Sequence, residues 1–87
     1  MSTAVVIDVR EPDEFARGHV KDALNIPLGL LMHDADKLKD MPKNAKILVY
    51  CRTGRRSGDA MRYLMREGYI NVTNGINQSQ MESKFLK

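Results

Sequence analysis

Short apolar runs alternate with amphipathic stretches along most of the chain. Val5-Val6-Ile7-Asp8-Val9 is a β-branched run and predicts a buried strand. Pro12 stands where a helix can begin, Asp13 and Glu14 suit its first turn, and Gly18 ends it. Ala23–Ile26 predicts a second brief strand, closed by Pro27. Leu28–Lys39 sets Leu30, Leu31 and Leu38 among charged residues, the pattern of an amphipathic helix. After a turn at Pro42-Lys43-Asn44 comes the clearest strand, Lys46–Tyr50, with Cys51 at its C-terminal end. Ala60, Met61, Leu64 and Met65 then recur at helical spacing up to Gly68, with Ser57 as the expected N-cap and the methionines as core filler. A last short strand, Ile70–Thr73, leads into Asn74-Gly75, read as its end. Ile76–Lys87 carries only a weak signal, compatible with a short helix or a tail.

Strands that alternate with helices predict an α/β fold, with a central, mostly parallel sheet flanked by helices on both faces. Sites in such sheets lie beyond the carboxyl ends of the strands, which is where Cys51 falls.

Composition narrows the picture. A chain of 87 residues, 43% hydrophobic, fits one compact domain spanning 1–87. Its net charge of +3 is too modest to argue for nucleic acid. The single cysteine excludes an internal disulfide and a multi-cysteine metal site, so neither metal nor cofactor is expected. No apolar run approaches a membrane span. The N-terminal residues lack the basic region and cleavage site of a secretory signal. The sequence leaves the location open between the cytoplasm, which it favours, and the periplasm, for a chain whose leader has been removed.

The chemistry concentrates in Cys51-Arg52-Thr53-Gly54-Arg55-Arg56-Ser57, which joins the best strand to the best helix. A loop this tight turns its backbone N–H groups inward as a nest for anions, and the following helix adds its positive end. Arg52, Arg55 and Arg56 are expected to crowd the same point. Such a setting lowers a thiol's pKa and attracts an anionic donor. The bland alternative is a buried structural thiol, which would not call for a glycine-containing loop with three arginines.

These residues resemble the rhodanese family. Ile7-Asp8-Val9-Arg10-Glu11-Pro12, Glu14-Phe15, Gly18-His19-Val20 and Ala23-Leu24-Asn25-Ile26-Pro27 are similar to its N-terminal signature. The segment from Cys51 through Gly54, Arg56 and Ser57 is similar to its active-site loop. The short bacterial thiosulfate sulfurtransferases, including the phage-shock-protein E type, look nearest. The resemblance implies a rhodanese-like fold in which Cys51 carries a persulfide. The Arg52, Thr53, Gly54, Arg55, Arg56 and Ser57 segment would cradle the outer sulfur, with Arg56 anchoring the loop or contacting the donor. It implies a small anionic sulfur donor such as thiosulfate, and a thiophilic acceptor: cyanide, a thiol, a dithiol or an acceptor protein. Asp8 and Arg10 are expected to pair structurally, His19 to serve a turn and His33 to lie on the surface. Two departures stand out: the segment after Asn74-Gly75 lacks the family's second glycine and its tryptophan, and the chain starts almost at its first clear strand.

Two rivals follow from the same residues. A phosphatase or arsenate reductase uses a similar cysteine loop, but one residue longer; here four residues separate Cys51 from Arg56. A carrier or binding module fed with sulfur by a partner protein would keep the cysteine and differ only around the loop.

Overall fold

The structure, a computed structural model, describes residues 4–33 and 38–85. Four strands form one sheet: β1 (Val5–Asp8), β2 (Leu24–Asn25), β3 (Ile47–Cys51) and β4 (Val72–Asn77). Their order is β2-β1-β3-β4, and every pairing is parallel. β3 lies inside the sheet and is buried along its whole length, which is why Ile-Leu-Val-Tyr-Cys shows no polar alternation.

The pleat divides the core in two. Ile7, Ile47, Val49 and Cys51 face a layer that includes Ile26, Leu31 of α2 (Leu28–His33), and Ala60 and Leu64 of α3 (Arg55–Arg66). Val6, Leu48 and Tyr50 face the other way, onto Val20 and Met81. Met81 begins a π-helical turn (Met81–Phe85) that continues the short helix α4 (Gln78–Gln80). Helical segments therefore cover both faces of the sheet, as the alternation of elements predicts. The segment past Gly75, faint in the sequence, is ordered here because Met81 fills the second face and is fully buried. The expected helix over Leu28–Lys39 is present as α2 only over Leu28–His33; 34–37 lie outside the described residues, and Leu38 and Lys39 belong to a turn.

Helix α1 (Pro12–Ala16) follows β1, with Pro12 at its first position and acidic Asp13 and Glu14 in its first turn. Glu14 Oε1 accepts the Glu11 N–H at 2.9 Å, which satisfies one of the helix's free amides. α3 buries Ala60 and Leu64 and half-buries Met61, but Met65 is 53% exposed and is not part of the core.

β4 departs from expectation. Asn74-Gly75 does not end the strand; it sits inside a ladder that runs from Val72 to Asn77. The register slips there, so that Val49 faces Asn74 and Tyr50 faces Ile76. Gly75 is the extra residue of a bulge. Glycine is favoured there because a Cβ would overlap the thioether of buried Met81, which would have to move.

Candidate active site

Cys51 is the last residue of β3 and the chain turns sharply after it. Gly54 adopts φ 93°, a left-handed conformation that L side chains avoid, and it caps the N-terminus of α3. A Cβ at Gly54 would also come within 3.1 Å of Ile76 Cγ2. Because Gly54 turns the chain this early, it takes the N-cap position and α3 starts at Arg55, three residues before a start capped by Ser57. Ser57 is therefore not the N-cap. It lies in the first helical turn, fully buried, with its hydroxyl against the sulfur.

The sulfur is held by neutral groups. Gly54 N–H donates to Cys51 Sγ at 3.1 Å and Ser57 N–H at 3.4 Å, while Ser57 Oγ lies 3.4 Å away. Burial pushes the Cys51 thiol up. The Ser57 hydroxyl and the amides of Ser57, Gly54 and Thr53 outweigh burial and bring the thiol below its ordinary value. The inward-facing amides of the anion nest are thus present.

The three guanidinium groups do not converge as expected. Arg52 and Arg55 are exposed, and among the described residues no guanidinium hydrogen-bonds Sγ. Arg56 turns instead to Glu14 and donates to both carboxylate oxygens, at 2.8 and 3.0 Å. That fork clips the first turn of α3 to α1 and holds the Glu14 carboxyl down at about 2. Arg56 is thus an anchor whose charge is largely neutralised by its partner. Arg52 lines a cleft of about 290 Å³ together with Arg10, Glu14, Arg17, Gly18 and Gln78. Thr53 is exposed.

Asp8 and Arg10 pair as expected. Asp8 is fully buried, and the Arg10 Nε and Nη2 groups donate to its carboxylate, Nη2 at 2.6 Å. The Arg10 guanidinium also lies 5.5 Å from the Tyr50 ring centroid. His19 stacks on Phe15 and its Nδ1 lies 2.8 Å from the Phe15 carbonyl oxygen, as befits a turn residue, and His33 is exposed.

Two residues of the site escaped the sequence reading. Glu14 looked like a helix-dipole residue, and its partner stands 42 positions away. Asn74 looked like the end of a strand. Its Oδ1 accepts from Ser57 Oγ at 2.6 Å and from Ile76 N–H at 2.9 Å, and its Nδ2 donates to the Gly54 carbonyl at 3.0 Å. Only the pairing of β3 with β4 brings these groups together.

A parallel sheet with a lone cysteine at a strand's carboxyl end, its sulfur ringed by backbone amides, defines an α/β domain of the cysteine-loop type. Comparison with known proteins makes this specific. The chain matches the rhodanese-like domain over residues 1–79 and belongs to that family. A sulfurtransferase of Allochromatium vinosum is 39% identical over 70 residues, covering 80% of this chain and 63% of that protein. The thiosulfate sulfurtransferase PspE of Escherichia coli is 42% identical over 69 residues, covering 78% and 64%. The chain thus spans a little under two thirds of the length of these relatives. Among solved structures, a rhodanese with anions from E. coli superposes with a TM-score of 0.80 at 35% identity, covering 90% of this chain and 91% of that one. Among the described residues, no helix is long and apolar enough to cross a membrane.

Proposed function

We propose that the protein transfers a sulfane sulfur from thiosulfate, or a similar anionic donor, through a persulfide on Cys51 to a thiophilic acceptor. The observation that supports this most is the ring of neutral donors on Sγ, with Gly54 N–H at 3.1 Å and Ser57 N–H at 3.4 Å. These groups favour the thiolate, the form that attacks sulfur, without a separate general base. The thiolate displaces sulfite from the outer sulfur of thiosulfate: the donor S–S bond breaks, its electron pair leaves on sulfite, and a new S–S bond forms on Cys51. An acceptor thiolate or cyanide then attacks the outer sulfur and returns Cys51 to the thiolate. The amides of Thr53, Gly54 and Ser57 would cradle the terminal persulfide sulfur, while exposed Arg52 and Arg55 would draw in the anionic donor.

The reading is tested by intact mass after brief exposure to thiosulfate and desalting without reductant. The expected result is a gain of one sulfur atom, lost on adding cyanide and absent from Cys51→Ala. Protein with a proven free thiol that gains nothing would overturn the thiosulfate reading in favour of a carrier loaded by a partner protein.

A further inference from the structure

The Ser57 hydroxyl touches two groups that compete for its one proton. Cys51 Sγ stands 3.4 Å from Oγ on one side, and Asn74 Oδ1 stands 2.6 Å away on the other. The orientation of the Asn74 carboxamide is set by backbone groups whose roles cannot change. Ile76 N–H, which can only donate, faces Oδ1, and the Gly54 carbonyl, which can only accept, faces Nδ2. Oδ1 therefore has no proton to offer, and Ser57 must be the donor in the short Ser57–Asn74 bond. While that bond stands, Ser57 turns a lone pair toward the sulfur and can accept from an S–H but cannot donate to an S⁻.

We propose that Asn74 is a positioning residue that holds the Ser57 hydroxyl proton away from the sulfur while Cys51 is a thiol, and gives it up when the thiolate forms. In the resting state the chain runs Cys51 S–H to Ser57 O–H to Asn74 C=O, each bond polarising the next. On ionisation the thiol proton leaves to solvent and the hydroxyl rotates about its C–O bond. The Ser57 proton then bonds S⁻, while Oδ1 keeps Ile76 N–H as its partner. No other bond is made or broken. The carboxamide thus sets how readily the thiolate forms and, through Nδ2, keeps the Gly54 carbonyl in place so that the Gly54 amide stays aimed at Sγ. The charged groups of the loop and its neighbours are exposed Arg52 and Arg55, together with Arg56 and its partner Glu14 of α1, and the test leaves all four unchanged.

The inference rests on Cys51 acting as a thiolate, and its test involves no sulfur donor, so it can fail independently of the transfer reading. The rate of alkylation of Cys51 by iodoacetamide against pH reports the thiolate directly, because the chain has one cysteine. Asn74→Leu keeps the side chain's branched outline and removes both the acceptor and the Nδ2 donor to the Gly54 carbonyl, the second loss being common to the Ser57 and Ser57→Ala backgrounds. At a pH below the midpoint it should raise the alkylation rate relative to wild type by about threefold or more, because Ser57 is now free to donate. In a Ser57→Ala background the same change should give no increase. An equal effect in both backgrounds, or no increase in either, would show that Asn74 acts only by shaping the loop and would overturn the proposal. A second measurement uses the unaltered chain. The side-chain amide resonances of Asn74 should move with pH through the alkylation midpoint, and in Ser57→Ala they should stop doing so. Resonances of the unaltered chain that ignore the midpoint would also overturn it.

Discussion

Replacing Glu14 by Gln removes one charge and leaves the site's shape, and the structure says what that should cost. A Gln oxygen can still accept the Glu11 N–H and one N–H of Arg56, but its amide nitrogen faces the other Arg56 N–H donor to donor, so the change removes the charge together with one prong of the bond, and the pH dependence separates the two. A carboxyl that moves from 4.5 in the open chain to about 2 in the fold would represent about 3 kcal/mol if all of it were realised. The Arg56 side chain keeps 34% of its surface in water, however, and solvent screens such pairs strongly. About 1 kcal/mol at neutral pH is the expected loss, or about 4–8 °C in melting temperature for a domain of this size.

The pH dependence carries the diagnosis. Because the folded value lies below the unfolded one, the stabilisation is complete above about 4.5 and drains away as pH falls toward about 2. Urea unfolding of wild type and Glu14→Gln at pH 7, 5 and 3 should show a gap that is unchanged between the first two. It should be roughly halved or less at pH 3. A gap that stays constant down to pH 3 would refute the ionic origin. So would strict additivity of Glu14→Gln with Arg56→Ala, since partners in one bond must couple.

Three further outcomes follow from the packing and the loop. Gly75→Ala should destabilise by about 1–3 kcal/mol in urea unfolding, and combined with Met81→Ala it should cost less than the sum, because the new Cβ overlaps the Met81 thioether. Ile76 adopts φ 75°, a conformation costly for a β-branched side chain, so Ile76→Gly should stay within about 1 kcal/mol of wild type; the same truncation at fully buried Ile47 should cost more than about 3 kcal/mol, and equal losses would show that Ile76 is unstrained. Alkylation of Cys51 by neutral iodoacetamide should change less than about twofold between about 0.05 and 0.5 M salt, because neutral donors hold the thiolate; a steep fall would mean that exposed arginines do so.

What could be seen in the sequence was whatever depends on neighbours along the chain. β1 and β3 are legible because a strand buried on both faces must be apolar throughout, and the start of α1 because Pro12 and its acidic neighbours act locally. The loop was legible as a device because Cys51 and Gly54 lie three positions apart. The rest depends on pairs that only folding brings together. Arg56 looked like a charge aimed at sulfur, and Glu14 of α1 claims it. Asn74-Gly75 carries turn chemistry, but the Asn74 carboxamide accepts the Ile76 N–H beside the bulge and the strand continues. Met81 lies outside any periodic pattern and is placed only by the vacancy on the second face of the sheet.

This division between near and far also separates two tasks within the loop. The groups that stabilise charge on sulfur are neutral, short-ranged and buried: the amides of Gly54 and Ser57, with a hydroxyl whose proton Asn74 contests. The groups that carry full charge, Arg52 and Arg55, are exposed and act over a Debye length rather than a bond length. A thiolate held by formal charges would lose much of its stabilisation when an anionic donor arrived and neutralised them. One held by buried dipoles keeps it, because the dipoles cannot be titrated and need not reorganise as charge moves from sulfur to the leaving group. The arginines can then serve encounter with the donor without setting the reactivity of the thiol. Arg56 belongs to neither group: with its charge matched by Glu14, its contribution is to hold the first turn of α3, and with it the Ser57 amide, where the sulfur needs them.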